Sequence, residues 1–538
     1  RLAIIGSGPS AFYSAARLLS SPTLTSEDPS SLTIQMFERL PVPNGLVRWG
    51  VAPDHLDVKN VEHKFAEVAK DPRFRFCGNV NVVQGTEAAA ADGQRRTGYQ
   101  YPHAIQLPLD TLARHYTHVL FSYGCSSSRP LGIPGSSQGE LANVHSALDF
   151  VNWYNGHPAA HDEELLSREP WRRVELTGGK SQMDVIGAGN VALDVARIVL
   201  RASAGSLLAA SGSSSSSSGR RAKEALETSD VPEAVLQHLS ESRINHVDIS
   251  ARRGPAQAAF TNKELREMLA LPGVGFEPVD SKLLQRAEAQ VAQQEEESRT
   301  AAQAGNIDPD AAAHSAGEAR VRKRLLSLLA KGSKTSSKEA DRNWRLNFYR
   351  APAAFLGAQS SSSEQLESLK AIQWTSTSYP STPVAESEAS KATSGPAAPW
   401  GNEPAPTSSE GVATLPTDST SSTPDSTPRV PGSAFETKSD LVVSSVGYRG
   451  TPLTGNNAST SSTSSGHSSS LLPWDNKRGV VPNLDGRVVS EQGEVLPNIY
   501  VSGWLARGPV GVIASTMHDA YSVADTILAD HLASSSAS

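Results

Sequence analysis

Two glycine-rich turns constrain this 538-residue chain more than any other feature. Gly6-Ser7-Gly8-Pro9-Ser10-Ala11 and Gly187-Ala188-Gly189-Asn190-Val191-Ala192 each follow a short apolar stretch and precede a helical pattern. Glycine lets such a turn tighten and lets the backbone approach a pyrophosphate, whose charge lies against the free amides of the helix N-terminus. One copy is weak evidence, but two copies in this context predict an α/β chain that binds two dinucleotides.

The residues that follow each turn distinguish the two ligands. The predicted strand 32–37 ends at Glu38, which is placed to accept hydrogen bonds from an adenosine ribose and to repel an added phosphate. The predicted strand 246–250 is followed by Arg252 and Arg253, two guanidiniums that suit the 2′-phosphate of NADP. An arginine pair on a solvated turn is the alternative interpretation. Glu264 is placed to orient these arginines.

Composition narrows the chemistry further. The chain has 49 lysines and arginines against 56 aspartates and glutamates, so its net charge is −7 and no overall positive field attracts nucleic acid or a membrane. Its two cysteines, Cys77 and Cys125, lie far apart. A redox disulfide needs paired thiols and a resident iron–sulfur cluster needs about four cysteines. We therefore expect neither, and no metal, and no membrane span because no apolar run is long enough.

Low-complexity tracts interrupt the patterned part of the chain. Residues 203–219, 375–431 and 456–470 are rich in small and polar residues, which cannot bury enough apolar surface to fold. We expect disordered insertions there, within the second domain. Residues 281–330 carry leucine, arginine and glutamate at helical spacing. Regular secondary structure is predicted again within 498–532, with a strand over 499–502 and a helix over 511–528.

Five stretches of the sequence resemble the adrenodoxin reductase family, the mitochondrial NADPH:ferredoxin reductases. They span nearly the whole chain in the family's order, and the first and last are long and unusual. The stretches are Pro43 to His55, Gly189 to Arg197, Arg252 to Pro255 with Phe260 to Glu267, Ser444 to Tyr448, and Ser502 to Trp504 with Arg507 to Ile513. On these motifs the chain is identified as a member of this family, and we expect a fungal-type member.

The resemblance implies two Rossmann-like dinucleotide-binding domains in a glutathione-reductase-like arrangement without a redox disulfide. An FAD-binding domain would comprise residues 1–127 and 471–538, with an NADP-binding domain, 128–470, inserted between them. The implied activity is that of a ferredoxin–NADP⁺ reductase, in which NADPH passes hydride to FAD and FAD passes electrons singly to an adrenodoxin-like [2Fe–2S] ferredoxin. Iron–sulfur cluster assembly, haem synthesis or cytochrome P450 chemistry would use the reduced ferredoxin.

The family's cofactor contacts map onto positions of this sequence. Gly511 is assigned to both cofactors, since it is also placed near the nicotinamide. The FAD set is Gly6, Gly8, Ser10, Ala11, Glu38, Leu46, Val82, Trp504, Gly511, Val512 and Ile513. The NADP set is Gly187, Gly189, Asn190, Val191, Ala192, Arg252, Arg253, Glu264 and Gly511.

Four of the matching positions carry a chemical expectation. A helix beginning at Gly511 would set its positive end against the reduced flavin and raise the flavin potential. Trp504 would pack against the isoalloxazine or shield it, with a core tryptophan as the alternative. His55 and Asp194 match catalytic positions that link flavin, nicotinamide and proton exchange, and a hydrogen-bonded scaffold role is equally compatible with either.

An acidic ferredoxin needs a positive docking surface. Arg320, Arg322, Lys323 and Arg324 form a basic run, in which Arg320 and Arg324 are one helical turn apart and share a face. Lys263 and Arg266 add to this surface. A solvated basic face is the ordinary alternative, but the family match at Arg266, Arg320 and Arg324 favours docking.

Other functions stay open at this point. A flavin-dependent monooxygenase also has two fingerprints and uses NADPH, but its usual Phe-x-Gly-x-x-x-His motif lacks the glycine here, at Phe150-Val151-Asn152. Another NADPH:acceptor reductase is a second alternative. A non-catalytic NADPH-sensing or scaffold protein is suggested only by the low-complexity tracts.

The location of the protein is inferred from the resemblance. The chain starts at Arg1 and a strand pattern begins at once, so we expect that a targeting segment has been removed. The family implies the mitochondrial matrix or the matrix face of the inner membrane, with peripheral membrane association. It also implies a monomer that binds FAD and NADP(H).

Overall fold

The structure is a computed structural model, and it describes residues 1–24, 32–84, 99, 101–210, 226–227, 229–358, 366–377, 432–453 and 472–537. The strands of these residues are β1 (Leu2–Ile5), β2 (Ile34–Phe37), β3 (Phe74–Cys77), β4 (Val80–Val83), β5 (Ile105–Pro108), β6 (His118–Phe121), β7 (Ser127–Ser128), β8 (Val144–Ser146), β9 (Gln182–Ile186), β10 (His246–Ser250), β11 (Val274–Phe276), β12 (Arg342–Asn347), β13 (Arg350–Gly357), β14 (Leu369–Ser376), β15 (Ala434–Lys438), β16 (Leu441–Ser444), β17 (Tyr448–Arg449), β18 (Asn483–Leu484), β19 (Arg487–Val489) and β20 (Val495–Val501).

The helices of the same residues alternate with these strands through most of the chain. They are α1 (Pro9–Leu19), α2 (Leu46–Trp49), α3 (Leu56–Lys59), α4 (Val61–Val68), α5 (Leu109–Ala113), α6 (Ala147–Tyr154), α7 (Pro158–His161), α8 (Glu163–Arg168), α9 (Asn190–Ala210), α10 (Glu233–Glu241), α11 (Asn262–Leu269), α12 (Ser281–Gln303), α13 (Pro309–Lys331), α14 (Trp504–Arg507) and α15 (Ile513–Ala537), with short 3₁₀ turns at Pro170–Arg172 and Pro255–Gln257. No helix among the described residues is long and apolar enough to cross a membrane.

The first sheet has seven strands in the order β18-β19-β20-β6-β1-β2-β3. The strands from β20 to β3 are parallel, with β1 in register between β2 and β6. All four residues of β1 are buried, as expected for a parallel strand covered on both faces. Phe12 of α1 and Val523 of α15 are buried on one of these faces, and each such side chain contributes roughly 1.5–3 kcal/mol. The end of the chain therefore completes the sheet that its beginning starts.

The second sheet has six strands in the order β11-β12-β10-β9-β16-β8, and every neighbouring pair is parallel. Its central strand β9 leads through the second glycine-rich turn into α9, as β1 leads through the first turn into α1. Strand β2 pairs with β1, and Glu38 follows its carboxyl end. Strand β10 pairs with β9 in the same way, and Arg252 and Arg253 follow its carboxyl end. The predicted α/β fold with two Rossmann-like units is confirmed.

Two predictions about the low-complexity tracts were wrong at their edges. Helix α9 continues to Ala210, although disorder was expected from residue 203. Ser203 is buried and its hydroxyl donates to the carbonyl of Val199 at 2.7 Å, so its polar group is satisfied inside the helix. Strand β14 likewise extends to Ser376. The tracts 211–219, 378–431 and 456–470 lie outside the described residues.

The charged segment 281–330, in which helical spacing was predicted, contains two helices. Helices α12 and α13 pack against each other as a hairpin. The break contains Gly305, whose φ of 74° requires glycine's freedom, and Pro309, which starts the second helix. Only Leu284, Ala287 and Val291 are buried on α12, which is the spacing of a helix with one apolar stripe.

Candidate functional site

The two glycine-rich turns have the same construction. Gly6 has a φ of 98° and a Cβ there would lie 2.4 Å from the Cα of Tyr123; Gly187 has a φ of 122° and a Cβ there would lie 2.2 Å from the Ser445 carbonyl oxygen. A Cβ on Gly8 or Gly189 would meet no atom of the described residues within 4 Å. The first glycine is thus required by the packing, whereas the second leaves space in front of the helix for a pyrophosphate.

The third position of each fingerprint is alanine and is fully buried. Ala11 packs in α1 and Ala192 in α9, each with 0% exposure. A small residue suffices there because the helix must approach the sheet closely. Helix α1 has Gly8 as its N-cap and no side-chain hydrogen bond caps it, so its first amides are available to a ligand.

One cavity of about 2240 Å³ connects the two fingerprints. Gly8 and Ser10 line it at one end, and Asn190 and Val191 at the start of α9 line it at the other. A pocket for a single small ligand measures roughly 300–1,000 Å³. This cavity is therefore large enough for flavin and nicotinamide groups to lie side by side.

Glu38, Leu46 and Val82, three of the residues predicted to contact FAD, all line this cavity. The Ser7 amide and hydroxyl donate to Oε2 of Glu38 at 3.1 and 2.7 Å, and the Leu40 amide donates to Oε1 at 3.1 Å. These bonds fix the carboxylate at the end of β2. Its position fits the recognition of a ribose hydroxyl.

Trp504 lines the middle of the cavity at the start of α14. Its ring packs on Tyr448 with a centroid distance of 5.9 Å, and the Cys125 thiol donates to its carbonyl oxygen at 3.6 Å. Its indole Nε1 is buried, and no acceptor among the described residues reaches it. A buried donor without an acceptor fits a site that receives a polar group from a bound ring system.

The helix expected to start at Gly511 starts at Ile513. Gly511 has a φ of 89° and lies in the turn before it, and the Val512 amide donates to the Ser515 hydroxyl at 3.0 Å. Val512 and Ile513 line the cavity, whereas Gly511 is not among the described residues that line it. The prediction placed the helix two residues too early because glycine was interpreted as its first residue rather than as the turn.

A buried ion-pair network lies where the two halves of the molecule meet. Asp54 and Arg197 are each 1% exposed, and the guanidinium binds both carboxylate oxygens at 2.9 and 3.0 Å. Arg201 adds a third contact to Asp54 at 2.6 Å. Burial would raise the pKa of Asp54, but the bonds and charges of Arg197 and Arg201 hold it below its usual value.

The two predicted catalytic residues belong to this network. Nε2 of His55 lies 2.6 Å from Glu267 and 3.8 Å from Glu264, and Arg197 lies 2.7 Å from Asp194 and 2.8 Å from Glu264. Burial raises the pKa of Asp194 to about 7, with the Arg197 charge opposing this shift and the Glu264 charge adding to it. Asp194 is therefore a carboxyl group that exchanges a proton near neutral pH beside the cavity.

The same cluster has the ligand atoms of a possible metal site. Single ligand atoms of His55, Asp194 and Glu264 all lie within 4.8 Å of one another. Arg197, however, already binds both carboxylates and supplies the positive charge that a cation would bring. We interpret the cluster as an ion-pair network.

Arg252 and Arg253 lie at the carboxyl end of β10, where the sequence placed them, and both are exposed. Burial and the charges of Arg252 and Arg322 lower the pKa of Arg253. Glu264 does not orient these arginines as expected. It is drawn to Arg197 and His55 because it lies on the buried face of α11.

The predicted docking residues are distributed over two adjacent helices. Arg266 on α11 and Arg320 and Arg324 on α13 are exposed, whereas Lys263 binds Asp57 at 3.0 Å. The Asn262 side-chain amide donates to the Val321 carbonyl oxygen at 3.2 Å and joins the two helices. This bond places the first turn of α11, which carries Lys263, beside the part of α13 that carries Arg320 and Arg324.

Sequence reasoning missed the residues that connect the two halves. Asp54, Arg197 and Arg201 were given no role, and Lys59, 7% exposed, binds Asp230 at 2.7 Å and Asn155 at 3.3 Å. A signal existed for Arg197: it lies three residues after Asp194 on a helix whose neighbouring positions are apolar. A charge on such a face needs a buried partner, but the sequence does not name it.

Fold and site together define an oxidoreductase with two dinucleotide sites in one cavity. No protein-family model matches the chain. It is 32% identical over 541 aligned positions to mouse mitochondrial NADPH:adrenodoxin oxidoreductase, covering 98% of this chain and 78% of that protein. It is 31% identical to the probable mitochondrial NADPH:adrenodoxin oxidoreductase of Schizosaccharomyces pombe, covering 98% and 81%. The structure of Mycobacterium tuberculosis FprA in complex with NADPH superposes with a TM-score of 0.65 and 29% identity, covering 100% of this chain and 85% of that chain.

The chain belongs to the NADPH:adrenodoxin oxidoreductase family. It is therefore a ferredoxin–NADP⁺ reductase type of oxidoreductase, and its cofactors are FAD and NADP(H). The predicted family, enzyme class and cofactors are confirmed.

Proposed function

We propose that this protein moves electrons from NADPH through FAD to an acidic [2Fe–2S] ferredoxin of the adrenodoxin type. The observation that carries the proposal is the single cavity lined by the N-terminal residues of both fingerprint helices. When bound, FAD supplies the conversion of a two-electron donor into one-electron transfers. FAD would be held by residues 1–127 and 471–538, and NADP by residues 128–470.

The chain's own residues would position the two cofactors. Glu38 would bind the FAD ribose, and the uncapped start of α1 its pyrophosphate. Gly189 to Ala192 would hold the NADP pyrophosphate at α9, and Arg252 and Arg253 its 2′-phosphate. Ring stacking depends on placement within a fraction of an ångström, so the buried pair of Asp54 and Arg197 would act by fixing the two halves.

His55 and Asp194 would handle protons at the nicotinamide end. Nε2 of His55 is held by Glu267 at 2.6 Å, so its ring orientation is fixed before a ligand arrives. Asp194 lines the cavity and has a raised pKa, so its carboxyl group holds a proton at neutral pH more often than an exposed carboxyl does. Arg197 binds the carboxylates of Asp194 and Glu264 and keeps them in place.

Ferredoxin would dock on the surface formed by Lys263, Arg266, Arg320 and Arg324. The net charge of −7 makes this a local positive region on an acidic protein, which would orient an acidic partner during encounter. Binding of this kind weakens as salt rises. The labels of the relatives support a mitochondrial location, which we extend to the matrix side. We infer a monomer that serves iron–sulfur assembly, haem synthesis or P450 chemistry.

The test is a stopped-flow experiment on the FAD-loaded protein mixed with NADPH and an oxidised [2Fe–2S] ferredoxin. We expect loss of flavin absorbance on NADPH addition, followed by ferredoxin reduction. The variant carrying Arg320→Glu and Arg324→Glu should reduce ferredoxin about tenfold more slowly at low salt and reduce ferricyanide at the normal rate.

Arg299→Glu is the matched control, because Arg299 is an exposed arginine of the same hairpin. It should leave ferredoxin reduction unchanged. Equal losses with ferredoxin and ferricyanide in the double variant would contradict docking at this surface. Substrate hydroxylation coupled to oxygen consumption, without ferredoxin reduction, would instead identify a monooxygenase.

A further inference from the structure

The basic residues of α13 do not all lie on the same side of the helix. Successive residues of a helix are about 100° apart, so Arg324 lies about 40° from Arg320 and Arg322 about 200° from it. Arg320 and Arg324 are exposed, whereas the Arg322 side chain is 39% exposed. Lys323 binds Glu295 of α12 at 2.6 Å. Arg322 therefore does not belong to the surface that Arg320 and Arg324 form.

Arg322 lies on the same side of α13 as the buried residues Ala319, Leu326 and Leu329, which is the side that packs against the rest of the protein. Helix α13 packs against both α11 and the 3₁₀ turn Pro255–Gln257, which directly follows Arg253 and Gly254. The turn is closely held, since a Cβ on Gly254 would lie 2.0 Å from the Tyr349 hydroxyl. This packing brings the Arg322 guanidinium within electrostatic range of Arg253.

The three guanidiniums form a cluster of one sign. Apart from burial, the groups that act on the pKa of Arg253 are Arg252 and Arg322, and both lower it because they are positive. The acid paired with Arg322 is Glu318, one turn earlier on α13, at 3.6 Å. A dianionic group beside the three arginines would offset their repulsion.

We propose that Arg322 is a third residue that binds the 2′-phosphate of NADP(H), together with Arg252 and Arg253. This inference rests on the proposed NADPH function and adds a specificity-determining residue to it. Helix α13 then has two roles on two faces, with Arg322 facing the nucleotide and Arg320 and Arg324 facing the ferredoxin. The long α12–α13 hairpin contributes to nucleotide selection as well as to docking.

The test is calorimetric binding of adenosine 2′,5′-bisphosphate to the full-length, FAD-loaded protein, with adenosine 5′-monophosphate as the ligand that lacks the 2′-phosphate. Arg322→Ala should weaken the bisphosphate about ten- to hundredfold and leave the monophosphate unchanged, the range expected for one charge-assisted contact. Arg322→Lys should restore part of this loss. Arg299→Ala, another exposed arginine of the hairpin, should have no effect.

A second variant separates recognition from a structural role. Glu318→Gln removes the acid that competes with the phosphate for Arg322 and should strengthen bisphosphate binding. If Arg322 serves only its pair with Glu318, this variant leaves bisphosphate binding unchanged, which would overturn the inference. A melting temperature for each variant shows that it is folded.

The failure of the inference differs from the failure of the proposed function. Arg253→Ala is measured in the same experiment. If Arg253→Ala loses bisphosphate affinity and Arg322→Ala does not, the inference about Arg322 is wrong and the phosphate site stands. If neither variant separates the two ligands, the 2′-phosphate site after β10 is itself wrong.

Discussion

The two fingerprint regions use one backbone plan and opposite charges. In both, the first glycine is required by a positive φ and by a neighbouring backbone, and the second opens onto space. Beside them, however, β2 leads to Glu38, whereas β10 leads to Arg252 and Arg253. In the function we propose, the shared plan would provide a pyrophosphate site in each half, and the residues beyond the neighbouring strand would decide which nucleotide enters.

The largest effect should come from removing the charges of the second region. The double variant with Arg252→Ala and Arg253→Ala should lower kcat/KM for NADPH by about 10²- to 10⁴-fold, because two charge-assisted contacts to the 2′-phosphate are lost. NADH, which lacks that phosphate, should change by about twofold or less. Steady-state kinetics with both nucleotides measure this. Equal losses for both would show that the two regions do not differ in the way proposed.

The junction between the two regions gives the next largest effect. Asp54→Asn leaves Arg197 buried without its full partner, and we expect a loss of about 3–5 kcal/mol in the free energy of unfolding. Asp57→Asn is the matched control, because its pair with Lys263 is exposed and should contribute about 1 kcal/mol or less. Denaturant unfolding of the FAD-loaded protein compares them. Similar losses in both variants would mean that the buried pair does not fix the halves.

Glu38 tests the first region. Glu38→Gln keeps the size of the side chain but removes the charge that the Ser7 and Leu40 amides surround, so FAD should bind about tenfold more weakly. Quenching of flavin fluorescence on titration gives the dissociation constant. Asp110→Asn, an exposed acid on α5, should bind FAD normally. Unchanged FAD affinity in the Glu38 variant would show that the charge of Glu38 does not contribute to FAD binding.

The last prediction concerns Asp194, and its size is a change in stability per pH unit rather than a single loss. The pKa of Asp194 is raised to about 7, so the folded protein holds a proton there that the unfolded chain releases near pH 4. Because of this group, the free energy of unfolding falls as the pH rises from about 4 to about 7. Relative to the parent, Asp194→Asn should therefore gain about 1 kcal/mol per pH unit across this range. Unfolding measured at several pH values tests this. A difference between the two proteins that does not vary with pH would contradict the raised pKa.

Sequence reasoning succeeded where the information is local. The fingerprint turns depend on glycine φ angles and on the residues next to them, so both were placed correctly. Helix α9 was cut short because small residues from 203 onward look unstructured when their packing is unknown. The start of α15 was missed by two residues because a glycine before a helix has the same local pattern as one inside it.

By itself, the sequence determined that the chain binds two dinucleotides, that one half carries an acid and the other a pair of arginines, and which family it resembles. Only the tertiary structure decided that Glu264 serves His55 and Arg197 instead of Arg252 and Arg253, and that Asp54 reaches Arg197 across 143 positions of sequence. The physical reason is that a turn or a helix cap is specified by adjacent residues. A buried charge, in contrast, takes whichever opposite charge the packing of distant elements brings to it.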